Sequence, residues 1–290
     1  MFSAQKILRF ALAIFVVAHV AAAAEQNRGC VWKATSPSGG VVYLGGSMHA
    51  LRSTDYPLPP AYNRAFDASE RIVFEIDDVA MSKFGAKVDK LGRYPRGDSL
   101  RNHVDPRTYE YLRRFFAILK VPEEKFAIYR PWYLAMALQS PQLHGLSPDL
   151  GIEGFLERRA RANHKPVFGL ETPREHLEVF SGMSDREAEA ALLLTFVPQQ
   201  KGSPTTAMTL AAWRRGDADA LERQMKSAYA DFPTFATRLL DLRNRNWIPK
   251  IEADANSHHV YFVVAGAGHF GGPNGVLALL RRDGYQIEQL

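Results

Sequence analysis

The chain has 290 residues, of which 46% are hydrophobic, 11% aromatic and 23% charged. This composition is typical of a folded globular protein and excludes a disordered, collagen-like or coiled-coil chain. The single cysteine, Cys30, excludes an intramolecular disulfide framework and a cysteine-based zinc cluster. Although the formal net charge is +5, the basic residues are scattered along the chain, so we expect no nucleic-acid partner.

The amino terminus has the layout of a secretory signal peptide. A basic segment precedes an apolar run over residues 10–20, and four alanines follow at positions 21–24. Because the apolar run is shorter than the ~20 residues that a membrane-spanning helix needs, we expect cleavage after Ala24. The expected mature chain, residues 25–290, then has no stable membrane span and is exported, either to the periplasm or out of the cell.

Five short segments rich in β-branched and aromatic residues are predicted as strands, and most of the chain between them has helical periodicity. The strand segments are residues 41–44, 71–76, 166–170, 260–265 and 285–288. Several are continuous apolar runs, which is typical of strands buried on both faces of a parallel sheet. The expected fold class is therefore α/β, with a central, mostly parallel sheet and flanking helices.

Helices are predicted over residues 151–162, 187–196, 207–228, 235–255 and 274–282. Two parts of the chain, about residues 80–150 and 175–255, are dominated by helical patterns, and we expect both to pack over the sheet as insertions. The sequence shows neither a Ser/Gly-rich linker nor a tandem repeat. It thus predicts one α/β domain over residues 25–290, with a large helical insertion.

Two fragments near opposite ends of the chain carry the same pattern, in which an apolar strand runs into Gly-x-x-His. The first fragment ends at His49 and the second at His269. In open α/β sheets, ligands bind beyond the carboxyl ends of the strands, where glycine allows a close approach of the backbone. If the two strands are neighbours, His49 and His269 should face one pocket. A histidine at a strand end also commonly serves as a hydrogen-bonded structural residue, and this alternative stays open.

Two carboxylates are expected at the same edge of the sheet. Glu75 lies inside the apolar run of residues 71–76, where an ionised carboxylate is costly unless it has a partner. Glu171 directly follows the predicted strand over residues 166–170. Two histidines and a carboxylate can bind a divalent metal ion, or they can act as a base and an orienting group around a water molecule.

An ordered series of short motifs makes the chain resemble the TraB/GumN family, which is related to the Tiki proteins. The motifs are YLGGSMH at 43–49, FEID at 74–77, RPW at 130–132, LSPDLGIE at 146–153, KPVFGLET at 165–172, RNRNW at 243–247 and GAGH at 266–269. Ser47 and Met48 stand where the family usually has Thr-Ile, and Glu153 stands where it often has Asp. Neither difference affects the paired Gly-x-x-His motifs.

The resemblance implies an α/β fold shared with erythromycin-esterase-like and haem-binding relatives. It also implies that His49, Glu75 and His269 form the catalytic site, with Arg243 as a fourth member. Because Tiki proteins are metal-dependent proteases, it implies an exported hydrolase of peptide or amide bonds. His49 and His269 would be metal ligands or bases, and Glu75 a ligand or the general base. The metal would be Mn, Co or Zn, and Arg243 would contact an oxyanion or a carboxylate.

Two other classes of function fit the same sequence. A binding protein would hold a small ligand such as haem, or a cell-envelope polymer, in the same pocket without chemistry. An interaction module would use the helices near residues 185–250 instead of the pocket. For an enzyme, the expected partner is a peptide or small-molecule substrate. The sequence leaves the oligomeric state open.

Overall fold

A six-stranded sheet forms the centre of the protein. The computed structural model describes residues 28–138, 146–196 and 205–290, so the predicted signal peptide lies outside the described residues. The strands are β1 Val31–Thr35, β2 Val41–Ser47, β3 Arg71–Ile76, β4 Val167–Glu171, β5 Tyr261–Gly266 and β6 Gln286–Gln289. Their order across the sheet is β4-β3-β5-β2-β1-β6.

The sheet is mixed but mostly parallel. The neighbours β4, β3, β5 and β2 run parallel to one another, whereas β1 pairs antiparallel with both β2 and β6. The predicted α/β class with a mostly parallel central sheet is therefore confirmed. The sequence patterns did not predict β1, because a lysine and an alanine interrupt its five residues, Val-Trp-Lys-Ala-Thr, and weaken the β-rich signal.

Helices surround the sheet. Before β4 they are α1 Pro60–Ala68, α2 Asp78–Gly92, α3 Pro106–Ile118, α4 Glu123–Phe126, α5 Pro131–Leu138 and α6 Ile152–Ala162. After β4 they are α7 Pro173–Ser181, α8 Asp185–Leu194, α9 Thr206–Arg215, α10 Ala218–Ala228, α11 Pro233–Ala236, α12 Arg243–Ala255 and α13 Val276–Arg282. A π-helical segment, Thr237–Leu242, joins α11 to α12.

The prediction of one helix over residues 207–228 is wrong. Gly216 adopts a left-handed conformation, with φ at 74°, and ends α9 before α10 begins. A left-handed glycine is a common way for a helix to end, because glycine has no β carbon to clash in that region.

The main hydrophobic core lies against the sheet and holds the strand ends in place. Every residue of β5 is buried, as expected for a central strand covered on both faces. The indole N–H of Trp213, a fully buried side chain, donates to the Gly46 carbonyl at 2.9 Å, so core packing fixes the end of β2. A second hydrophobic cluster, which includes Leu112 and Leu192, lies among the helices of the predicted insertions. Within the described ranges, no helix combines the length and the apolar character needed to cross a bilayer.

Candidate functional site

The two Gly-x-x-His motifs end at the same edge of the sheet. Strands β2 and β5 are adjacent and parallel, and Ser47 pairs with Gly266 at the end of their ladder. His49 follows β2, and His269 lies in the short helical turn directly after β5. Strand β3 pairs with β5 on its other side and carries Glu75 to this edge. The structure thus brings the three predicted site residues together; their roles stay predictions.

Gly266 marks the point where these side chains meet. A β carbon on Gly266 would lie 3.3 Å from both His49 Nε2 and Glu75 Oε1, and 3.6 Å from His269 Cδ2. The absence of a side chain here therefore leaves the space in which the three groups approach one another. The N–H of Gly266 also donates to Glu75 Oε1 at 2.7 Å, which fixes that carboxylate against the end of β5.

Arg243, the first residue of α12, is the centre of a buried polar cluster. We call Glu75, Glu171, Arg243 and His269 the Arg243 cluster; all four are buried. The guanidinium donates from Nη2 to Glu75 Oε2 at 2.6 Å. From Nε and Nη2 it donates to the two oxygens of Glu171 at 2.7 Å and 2.9 Å, a bidentate geometry.

The remaining donors of Arg243 are also engaged. Its Nη1 donates to His269 Nε2 at 3.2 Å and to the Leu239 carbonyl, in the π-helical segment, at 3.3 Å. A guanidinium has five N–H donors, and each of them has an acceptor here. Arg243 therefore contacts two carboxylates of the protein, one of the two kinds of contact expected for it, and its role in the site stays a prediction. In this arrangement it has no N–H left for a substrate oxyanion.

The hydrogen bonds of Asn244 assign the proton on His269. The Asn244 side-chain N–H donates to the Asn274 carbonyl at 2.9 Å, so Asn244 Oδ1 faces His269 Nδ1, at 2.7 Å. His269 consequently donates from Nδ1 and accepts from Arg243 at Nε2. Burial, reinforced by the charge of Arg243, lowers the pKa of His269 to about 3, so the ring is neutral at neutral pH.

The carboxylates of the cluster are ionised. Burial alone would raise the pKa of Glu75, but the charge of Arg243 and further contacts hold it well below its ordinary value. Burial also opposes ionisation of Glu171, yet hydrogen bonds from His176 and Arg243 lower its pKa. The indole of Trp247, one turn after Arg243, adds a hydrogen bond to Glu171 Oε1 at 2.8 Å. Two carboxylates thus share one guanidinium in a closed network.

His49 has a different environment. Its side chain is 68% exposed, and its Nδ1 lies 2.7 Å from Glu153 Oε1. Because an ionised carboxylate only accepts hydrogen bonds, Nδ1 carries a proton and Nε2 faces the space beside Gly266. Among the described residues, His49 Nε2 has no hydrogen-bond partner. The Glu153 carboxylate raises the pKa of His49 to about 9, so the ring carries a positive charge at neutral pH.

The start of α6 places Glu153 against His49. The N–H of Ile152 donates to the Met48 carbonyl at 3.0 Å. A β carbon on Gly151 would lie 2.2 Å from the His49 carbonyl oxygen, so glycine permits this close approach. In the sequence, Glu153 stands out only as a position of a family motif. The signal for its role was an acidic residue in the first turn of a predicted helix, where the helix dipole favours a negative charge.

A cleft of about 660 Å³ opens over these groups. Its lining includes His49, Glu75, Glu153 and Arg243, together with His176 of α7, which the sequence analysis did not single out. The cleft volume lies within the range of about 300–1,000 Å³ that is typical of small-molecule sites.

The site motifs all fall within one matched stretch of the chain. A model of the TraB/PrgY/gumN family matches residues 30–289. The chain belongs to the TraB/PrgY/gumN family. The resemblance drawn from the sequence motifs is therefore confirmed.

Relatives from two bacteria match most of the chain. An uncharacterized protein of Treponema pallidum (strain Nichols) is 24% identical over 274 residues, which cover 87% of this chain and 80% of that protein. The uncharacterized protein YbaP of Escherichia coli (strain K12) is 25% identical over 278 residues, covering 89% and 96%. No solved structure matches the chain.

The metal that the family resemblance implied does not fit the donor atoms of this arrangement. His269 Nε2 accepts a hydrogen bond from Arg243, and the two oxygens of Glu75 accept from Arg243 and Gly266. A cation among these atoms would have to displace a positively charged guanidinium. Within the described ranges, no group of three or more His, Cys, Asp or Glu side chains is arranged to hold a metal ion. Of the three predicted ligands, His49 alone keeps a nitrogen free.

Proposed function

We propose that this TraB/PrgY/gumN-family protein is an exported hydrolase of amide or peptide bonds, in which His49 transfers a proton. The His49–Glu153 pair is the observation that carries the proposal. The Nδ1 of His49 is held by one carboxylate, while its Nε2 faces a cleft beside a second carboxylate, Glu75. An imidazole oriented in this way is suited to general acid–base catalysis.

The charge states favour His49 as the proton donor. Because Glu153 keeps His49 protonated at neutral pH, its Nε2–H can give a proton to the departing amine as the C–N bond breaks. Glu75 is ionised, and Oε1 has a second lone pair with which to accept a hydrogen bond from the attacking water. Arg243 and His269 act as positioning residues, since their donors and acceptors are engaged within the cluster.

The cleft volume supports a class of substrate, and the predicted signal peptide supports a location. The cleft volume of about 660 Å³ suits a short peptide or another small molecule carrying an amide bond. The predicted signal peptide over residues 1–24 supports export to the periplasm or to the outside. The resemblance to the Tiki proteins supports hydrolysis as the reaction class.

The test compares His49→Asn with the wild-type protein on peptide p-nitroanilides. Asparagine keeps an N–H donor near the position of Nδ1 but has no nitrogen at the position of Nε2. We expect kcat/KM to fall by about 10²–10⁴-fold, the usual contribution of a general acid or base, in a variant that its melting temperature shows to be folded at the assay temperature. His258→Asn, which alters an exposed histidine, should keep wild-type activity. Wild-type activity in His49→Asn would contradict the proposal, as would a wild type without turnover.

One observation favours a second candidate, a non-catalytic binding protein for a small ligand such as haem or for an envelope polymer. Every side-chain N–H donor of the Arg243 cluster is engaged in an internal hydrogen bond, as expected if the cluster serves only to shape the cleft above it. A binding protein predicts a ligand-dependent rise in melting temperature that survives His49→Asn, together with no turnover of any substrate.

A further inference from the structure

We propose that His176 is a second catalytic histidine of the cleft, the general base that takes a proton from the attacking water. This assignment rests on the proposed hydrolase function. In that function His49 donates a proton to the leaving amine, so another group must accept the proton of the attacking water. His176 lies on α7, outside the Gly-x-x-His motifs and the strand carboxylates.

The contacts of His176 determine which nitrogen is free. Its Nδ1 lies 3.1 Å from Glu171 Oε2 and 3.4 Å from Arg243 Nη2. Because the ionised Glu171 only accepts hydrogen bonds, Nδ1 carries the proton and points it at that carboxylate. In the neutral ring, Nε2 then carries the lone pair. Among the described residues, His176 Nε2 has no hydrogen-bond partner.

The sheet topology places His176 and His49 on two flanks of one site. In the order β4-β3-β5-β2, the two central strands bring Glu75 and Gly266 to the edge. His49 follows the strand on one flank, and His176 lies in the helix that follows the strand on the other. Both side chains line the same cleft. Each is anchored through Nδ1 to its own carboxylate, so each presents Nε2 for proton transfer.

A purely structural role explains His176 less well. Glu171 already accepts hydrogen bonds from Nε and Nη2 of Arg243 and from the indole of Trp247. A further donor is therefore not needed to satisfy this buried carboxylate. Among the described residues, the charged groups in hydrogen-bond contact with His176 are Glu171 and Arg243. The Phe180 ring lies 6.3 Å away, and 23% of the His176 side chain is exposed, so the imidazole has a partly apolar neighbourhood.

The proton transfers balance over one turnover. The water oxygen bonds to the carbonyl carbon as His176 Nε2 takes one of its protons. The C–N bond breaks, its electron pair goes to nitrogen, and that nitrogen takes the proton from His49 Nε2. The products are a carboxylic acid and an amine. The proton then returns from His176 to His49 through solvent, which restores both histidines.

The experiment separates the two histidines by the leaving group of the substrate. The probes are a p-nitrophenyl ester and a p-nitroanilide with the same N-acetyl-aminoacyl group. The ester's leaving group departs as a stable anion and needs no proton, whereas the anilide's leaving group does. The proteins are the wild type, His49→Asn, His176→Asn, His176→Ala and the exposed control His258→Asn, each with its melting temperature.

The base role predicts a loss on both probes. His176→Asn should lower kcat/KM by about 10²–10⁴-fold for the ester and for the anilide. His49→Asn should lower the anilide rate by that factor and the ester rate by less than about tenfold. Asparagine at position 176 keeps the donor to Glu171, so full activity of His176→Asn beside an inactive His176→Ala would show a structural role and overturn the assignment. A loss confined to the anilide would overturn it as well.

The same data distinguish a failure of the inference from a failure of the proposed function. A wild type that hydrolyses neither probe faster than buffer refutes the hydrolase and, with it, the base. A wild type that is active on both probes, with an equally active His176→Asn, overturns the role of His176 alone.

Discussion

The Arg243 cluster is buried, whereas His49 of the His49–Glu153 pair is exposed, and members of both groups line the same cleft. In the cluster, each N–H of Arg243 and both nitrogens of His269 are engaged in hydrogen bonds. In the pair, His49 is anchored at Nδ1 and open at Nε2. Both regions contain a histidine from a Gly-x-x-His motif, yet the two histidines differ in exposure and in charge.

The difference separates residues that hold the site from residues that are free to react. The pKa of His269 is lowered by burial, whereas the pKa of His49 is raised by the carboxylate of Glu153. A group with every donor and acceptor occupied inside the protein cannot bind a substrate atom without breaking an internal bond. Two histidines from the same sequence motif therefore have different functions, which their hydrogen-bond partners determine.

Removing the guanidinium should give the largest effect in this comparison. Arg243→Met leaves Glu75 and Glu171 buried without their cation, and breaking a buried ion pair typically costs about 3–5 kcal/mol in the free energy of unfolding. Urea denaturation at neutral pH measures this loss. The matched control is Arg245→Met, an exposed arginine of the same helix, which should change the free energy by no more than about 0.5 kcal/mol. Equal free energies of unfolding for Arg243→Met and Arg245→Met would contradict the stabilising role of Arg243 in the cluster.

A smaller effect should come from protonation of His269. The pKa of His269 is 6.5 in its ordinary state and about 3 in the folded protein, so below pH 6.5 the unfolded chain binds the extra proton. The contribution of His269 to the free energy of unfolding is therefore fully present above its ordinary pKa of 6.5. It is lost as the pH falls toward 3, by up to about 1.4 kcal/mol per pH unit. The lowered pKa values of Glu75 and Glu171 add their loss only in more acidic solution.

Urea denaturation at pH 7, 6 and 5 checks this pH dependence. As the pH goes from 7 to 5, the wild-type free energy of unfolding should fall relative to that of His269→Asn. His49 and His103, whose pKa values are raised in the folded protein, oppose this change between pH 7 and 6, so the wild type is compared with His269→Asn at each pH. An unchanged difference between the two proteins over this pH interval would show that folding does not lower the pKa of His269.

The positions of the site residues could be predicted from the sequence because they depend on strand order and local glycines. Apolar runs that end in Gly-x-x-His, with Glu75 inside a third run, lie on strands that are neighbours in the sheet. Which atom bonds to which could not be predicted in this way. The proton on His269 depends on Asn244 in α12, and the partner of His49 is the first-turn Glu153 of α6.

His176 shows a second limit of the sequence patterns. It lies on an amphipathic helix and outside any Gly-x-x-His motif, so its sequence context resembles that of a surface residue. Its relevance appears only when β4 places α7 next to Arg243 and the cleft. The break at Gly216 was missed for a related reason, since one glycine within a long helical pattern is compatible with either a continuous or an interrupted helix.

In this structure Arg243 neutralises the two buried carboxylates, Glu75 and Glu171. Whether a metal ion can take its place is tested most directly by titration of the purified protein with Mn²⁺, Co²⁺ and Zn²⁺, beside His49→Ala and His269→Ala. If Arg243 occupies the carboxylates, the wild type, His49→Ala and His269→Ala should show the same stoichiometry of metal binding. Stoichiometric binding that is lost in both variants would contradict this expectation, because it would show that a metal displaces Arg243 and joins the two histidines.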